Sequence, residues 1–123
     1  MVTKGKKEVE KDNPLHCPFI RAQKIIGGKW KSVIIFYLRN GKMRFGQISA
    51  RIPGVSRKIL TVQLKELELA GLIERHEFKE IPPRVEYELT KLGLSLLPIL
   101  DAMNEWGKTE AKVIEKSLKK SNV

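Results

Sequence analysis

Five residues, Ile52-Pro53-Gly54-Val55-Ser56, most narrowly limit what this chain can fold into. Proline cannot continue the helix before it, and glycine supplies backbone angles closed to other residues, so Pro53-Gly54 is a turn. Ser56 stands where a helix N-cap belongs. Before the turn, residues 46–51 read as a short helix with Ile48 facing inward and Ile52 closing its end. After it, residues 57–70 read as a longer helix that Gly71 ends. Two short helices joined by a glycine-containing turn form a helix-turn-helix. Residues 72–81 and 85–89 then read as strands meeting at Pro82-Pro83, which excludes continuous pairing at the tip. A strand pair directly after the second helix makes residues 44–89 a winged helix. The expected class is α+β, mostly helical.

At about 100° per residue, Leu60, Leu64 and Leu67 fall on one side of the second helix and should face a core. Lys58, Thr61, Val62 and Lys65 fall on the other, and no acid joins them until Glu66 at the margin. Lysines suit phosphates and guanine edges, and Thr61 and Val62 suit thymine methyl groups. The face therefore fits the major groove of double-stranded DNA. Arg44, Ser56 and Arg57 complete the candidate set on the motif, and Arg84 at the wing tip is the candidate for the minor groove or the phosphate backbone.

The totals agree with such a partner. The formal net charge is +10, which favours polyanions because lysine and arginine release condensed counterions from phosphates. A length of 123 residues suggests one domain, and 41% hydrophobic with 31% charged residues is a globular composition. No apolar run approaches the ~20 residues of a membrane helix, and the start is polar, so a cytoplasmic location is expected. The single cysteine, Cys17, rules out an intrachain disulfide and a cysteine-rich zinc site. His16 and His76 lie far apart with no ligand-like spacing, so no structural metal or cofactor is expected.

Outside the motif, residues 1–13 read as a flexible basic arm ahead of one domain over residues 14–123. Pro18 starts a helix over residues 18–26, with Phe19, Ala22, Ile25 and Ile26 at helical spacing and Gly27-Gly28 at its end. This helix is too short to stand alone. Residues 29–39 form a buried helix carrying Trp30, Val33, Ile34, Phe36, Tyr37 and Leu38, and residues 43–45 a short strand. Thr90 caps a last helical region over residues 91–118, bent at Pro98 and interrupted at Gly107. Its stripe of Leu96, Ile99, Leu100, Met103 and Trp106 lies beyond the winged helix, and a second subunit is the simplest cover for it.

The pieces CPF at Cys17, IIGGKW from Ile25, RFGQI from Arg44, IPGVSRKILTVQLKELELAGLI from Ile52, IPPRVEYELTKLG from Ile81 and LLPILDAMNEWG from Leu96 resemble, in order, the HxlR-type winged-helix regulators near the MarR-like repressors. The resemblance covers about three quarters of the chain. It implies a homodimer on short inverted-repeat operators, with the first and last helices building the dimer contact. Phe19, Ile25, Leu96, Ile99, Leu100, Met103 and Trp106 stand on those helices. Residues 56–65 match the recognition helix, and Pro83-Arg84 the wing tip. One branch of the family uses a cysteine just before the first helix as a redox or electrophile sensor, and Cys17 occupies that position. There the helix dipole, Arg21 and Lys24 favour negative charge.

The alternative class is a winged helix used for protein contact within a larger transcription assembly. Acidic residues on the outward helix face would favour it, and they are absent. An enzyme is disfavoured: no nucleophile with a base, no paired carboxylates at catalytic spacing and no phosphate-cradling glycine loop is present. No polar cluster in the first or last helix singles out a small-molecule effector.

Overall fold

Eleven apolar side chains from the helices, the turns and one strand define the core: Ile34, Ile35, Leu38, Ile48, Ile52, Leu60, Leu64, Leu67, Leu72, Ile73 and Leu100. They belong to a computed structural model that describes residues 16–121. The expected arm over residues 1–13 lies outside the described residues.

In chain order the elements are α1 (Pro18–Ile26), α2 (Lys31–Tyr37) with a 3-10 turn (Leu38–Asn40), β1 (Met43–Arg44), α3 (Phe45–Arg51), α4 (Arg57–Leu69), β2 (Ile73–Phe78), β3 (Arg84–Leu89), α5 (Lys91–Leu94) and α6 (Leu97–Ser121). The small sheet is antiparallel, ordered β1-β3-β2. Its register pairs Met43 with Tyr87, Ile73 with Leu89 and Phe78 with Arg84. This is the winged helix-turn-helix that the Pro-Gly turn and the hairpin predict.

The local chemistry of the motif follows its sequence. Gly54 holds φ at 86°, a left-handed angle that strains other residues, so it reverses the chain at low cost. Ser56 Oγ accepts the Ile59 N–H at 3.0 Å, satisfying one orphan donor at the start of α4. Leu60, Leu64 and Leu67 are all buried, as their spacing predicts.

Four boundaries differ from expectation. The second helix is two residues shorter at its start and tightens into the 3-10 turn at Leu38. The first motif helix begins at Phe45, where Gln47 Oε1 accepts the Arg44 N–H at 2.8 Å. The wing strands stop at Phe78 and resume at Arg84, with a cis Ile81–Pro82 bond between them. The last helical region is two helices, not one bent helix. The chain breaks at Ser95-Leu96, so Pro98 falls in the first turn of α6, where its missing N–H removes no helical bond. Gly107 does not interrupt α6: a helical glycine costs only about 1 kcal/mol relative to alanine, and 25 residues carry it.

Thr90 is the joint between wing and C-terminal helices. Its Oγ1 accepts the Gly93 N–H at 3.1 Å and donates to the Gly71 carbonyl at 2.6 Å, while its own N–H donates to the Leu72 carbonyl at 3.1 Å. A side chain at Gly93 would place its Cβ 2.2 Å from that same Leu72 oxygen. α1 buries none of its residues, and so contributes nothing to this core.

Candidate nucleic-acid interface

The outward face of α4 is open along its length. Arg57, Lys58, Thr61, Val62 and Lys65 are all exposed, and Leu69, 75% exposed, ends the stripe. Thr61 Oγ1 donates to the Arg57 carbonyl at 2.8 Å, so the hydroxyl is turned back onto its own helix. Ser56 likewise spends its oxygen on the cap. Lys58 has no acidic partner among the described residues, and Lys65 Nζ lies 4.0 Å from Glu68. Of the two acids at the margins of this face, Glu68 lies beside Lys65 and Glu66 is held by Lys31 of α2 at 2.5 Å. Ile59, 40% exposed beside Lys58 and Val62, belongs to this surface although spacing puts it at the flank.

Two residues that sequence reasoning passes over position the basic ones. The Arg57 guanidinium lies 4.7 Å from the centre of the Phe45 ring, an arrangement that fixes a flexible cation beside the start of α4. Phe45, Arg44 and Gly46 form one wall of a groove of about 760 Å³ whose other wall is the wing tip from Glu80 to Val85. Arg44 remains mostly exposed, 3.9 Å from Glu86.

The second of these residues is Phe78, and because of it Arg84 does not stand free at the tip. Arg84 is the first residue of β3, and its guanidinium covers the ring of Phe78, its register partner, at 4.3 Å. Its nitrogens lie 3.5 Å from Glu80 and 3.4 Å from Glu86, and its Nε is buried without a hydrogen bond. Cross-strand stacking and two carboxylates hold the Arg84 side chain, the candidate for the minor groove or the phosphate backbone, against the hairpin. Lys42 also lies over the Phe78 ring, at 5.9 Å. On the hairpin Arg75 hydrogen-bonds Tyr87, which together with Glu77 at 3.2 Å raises its guanidinium pKa above the usual value.

The hairpin also gathers Glu74, His76 and Glu88 within 4.8 Å of one another. Glu74 and Glu88 are direct partners in the ladder, a costly like-charge pair. His76 Nε2 sits between them, 2.7 Å from Glu88 and 3.6 Å from Glu74. An imidazole and two carboxylates are a donor set for a divalent cation. Linear spacing hides the group because its members meet across two strands.

Cys17 is exposed and N-caps α1 without a side-chain bond. On the same helix Phe19 is 73% exposed and Ile25 is exposed. On α6, Ile99, Met103 and Trp106 are exposed, and Val113, Ile114 and Leu118 continue the apolar surface. Leu100 is different: it is 4% exposed within the chain's own core, with Leu96 packed half-buried beside it. The predicted stripe therefore splits, its Leu96–Leu100 edge turned inward and its Ile99–Met103–Trp106 edge outward. Among the described residues, no helix is long and apolar enough to cross a membrane.

Comparison with known proteins places this geometry. The sequence profile of the HxlR-like helix-turn-helix family matches residues 25–115. The chain is 50% identical over 97 residues to an HTH-type transcriptional regulator of Methanothermobacter thermautotrophicus, covering 79% of this chain and 74% of the relative. It is similar to the redox regulator HypR in its reduced form, with a TM-score of 0.77 and 38% identity over 81% of this chain and 99% of that one. The oxidised form of HypR gives a TM-score of 0.73 and 40% identity over 76% and 96% of the two chains. The reduced transcriptional regulator YodB from Bacillus subtilis gives 0.65 and 37%, over 74% and 90%.

Proposed function

Because this chain belongs to the HxlR-like helix-turn-helix family of transcriptional regulators, we propose that it binds an inverted-repeat operator as a homodimer, with α4 of each subunit in a major groove. The observation that carries this reading is the outward face of α4: capped, exposed and cationic, with Glu66 at one margin paired to Lys31 and Glu68 at the other beside Lys65. Lys58, Lys65 and Arg57 meet phosphates or guanine edges, Thr61 and Val62 meet thymine methyls, and Ser56 and Arg44 bring backbone N–H groups and a further cation to the flanking phosphates. Arg84 serves the wing by bracing it over Phe78. Residues 14–123 act as one unit, and the protein works in the cytoplasm by binding and not by catalysing a reaction.

The dimer forms through α1 and the outer edge of α6. Phe19, Ile25, Ile99, Met103 and Trp106 are apolar, exposed and otherwise unburied, which is the surface a partner subunit removes from water. Leu96 and Leu100 support that edge from inside.

Cys17 makes the regulator responsive to oxidants or electrophiles. It is exposed at the start of a helix assigned to the dimer contact, and the similarity to HypR, a redox regulator with matching oxidised and reduced forms, supports the assignment. A peroxide oxidises the thiolate to a sulfenate by two electrons, and a second thiol then displaces water to give a disulfide. With one cysteine per chain, that disulfide joins two subunits or a small thiol. Either product changes the relation between the two α4 helices.

The test is a binding titration on the duplex upstream of the protein's own gene against scrambled DNA of equal length, reduced and after mild peroxide, with Cys17→Ser alongside. Preference for the native duplex, weakened by peroxide only when Cys17 is present, is expected. Equal and salt-sensitive binding to both duplexes would favour a protein-contact role in a larger transcription assembly.

A further inference from the structure

Ile81 is the most exposed large apolar side chain among the described residues, at 102% of its reference surface. It stands at the crest of the wing, followed by Pro82 and Pro83, neither of which has an N–H to donate. The cations expected at that crest are elsewhere: Arg84 is bound over Phe78 and to Glu80 and Glu86. The acids near the crest are compensated, Glu80 by Arg84 and Glu77 by Arg75. Lys79 is left as an exposed cation with no acidic partner among the described residues, and Lys42 flanks the base of the crest over Phe78. The wing therefore presents an apolar point with positive shoulders.

This point is continuous with the start of α4. Arg57 packs on Phe45, and Phe45 with Arg44 walls the groove whose far side is the wing tip. Given α4 in a major groove, the next surface along the duplex is a minor groove about 6 Å wide, bounded by phosphates and lined by sugars. An aliphatic side chain between cationic shoulders is complementary to that surface, and apolar contact is a recognised way to use it.

We propose that the wing reads DNA through Ile81, which seats in the minor groove beside the α4 site and selects A·T pairs by contact with the groove floor. The inference rests on the DNA-binding reading above. Its selectivity follows from one chemical difference. A G·C pair carries the guanine 2-amino group in the minor groove, and an A·T pair does not. The amino group blocks an aliphatic side chain from the floor, and would lose its hydrogen bonds to water beneath one. Arg84 is then a brace for the reading residue and not the reader.

The experiment uses the full-length protein and duplexes that it enriches from a random-sequence library. In the enriched duplex, each A·T pair flanking the α4 site is replaced in turn by 2,6-diaminopurine·T, which adds the minor-groove amino group, and each G·C pair by inosine·C, which removes it. Neither change alters the groups that α4 reads in the major groove. For the wild type, added amino groups at the wing position weaken binding about tenfold, the scale of one aliphatic side chain losing its burial. Ile81→Ser binds the enriched duplex about tenfold more weakly, with the same salt dependence because no charge is removed, and is indifferent to the added amino group. Ile81→Val restores the discrimination. If Ile81→Ser and the wild type respond equally to the amino group, the inference is overturned and the DNA-binding reading stands. If no duplex is enriched, both fall.

Discussion

Arg39 Nη1 donates a hydrogen bond to Asp101 Oδ1, tying the end of the α2 region to the first turns of α6 across 62 residues of sequence. The bond holds the Asp101 carboxyl below its ordinary pKa and raises that of Arg39. A depressed carboxyl contributes stability that is present above its unfolded value and is lost as pH falls through the lower folded value. In chemical denaturation Asp101→Asn should therefore be less stable than the wild type at about pH 7, and the gap should close below the ordinary carboxylate value of about 4. A gap that stays open well below that value would mean that the ionised pair is not what holds α6.

The outward face of α4 predicts a change in salt dependence. Lys58→Ala should weaken DNA binding and lower the slope of log K against log salt by about one unit for each phosphate no longer neutralised. Lys65→Ala should do the same to a smaller extent, since Glu68 already draws on Lys65. An unchanged slope in both variants, measured by fluorescence anisotropy, would mean that neither lysine meets a phosphate.

The divided stripe on α6 separates assembly from folding. Met103→Glu, at an exposed position, should yield folded monomers in analytical ultracentrifugation. Leu100→Ala, at a buried one, should lower folding stability by about 2–5 kcal/mol through reduced burial and the cavity left behind. Dimers that persist in Met103→Glu would place the subunit interface on another face.

Removing the cap of α4 should cost stability without touching the DNA-facing side chains. Ser56→Ala loses the bond to the Ile59 N–H, an expected loss of about 1 kcal/mol in urea denaturation. Ser56→Asp, which keeps an acceptor, should retain most of that stability and yet weaken DNA binding, because it puts a negative charge at the edge of the interface.

The motif is legible in the sequence because its determinants are local. Pro53-Gly54, the Ser56 cap and the spacing of Leu60, Leu64 and Leu67 each act within a few residues, and each takes the place that local chemistry predicts. Arg84 is not legible in the same way, because its restraint comes from Phe78 across the hairpin, and only the strand register brings the two together. The cluster at His76 is hidden for the same reason. The α6 stripe reads as one surface because helical spacing does not show how far a neighbouring helix covers it. α2 packs along one edge, so Leu100 is buried while Met103, less than one turn on, is not. Phe45 does not stand out as a functional residue because an aromatic next to a helix start is ordinarily core, and Arg57 gives it a second use.

The closure at Gly93 has a consequence for recombining such proteins. The Leu72 oxygen, which accepts the Thr90 N–H, leaves no room for even a methyl group at that crossing. Residues from the turn after α4 to Gly93 are thus a single interlocked module, and a graft has to respect that seam. Chimeras that exchange C-terminal helices between relatives should splice after Leu94, in the break before α6, where the chain already leaves helical geometry. A splice inside the interlocked module would pair a foreign side chain with a backbone oxygen that has nowhere to move.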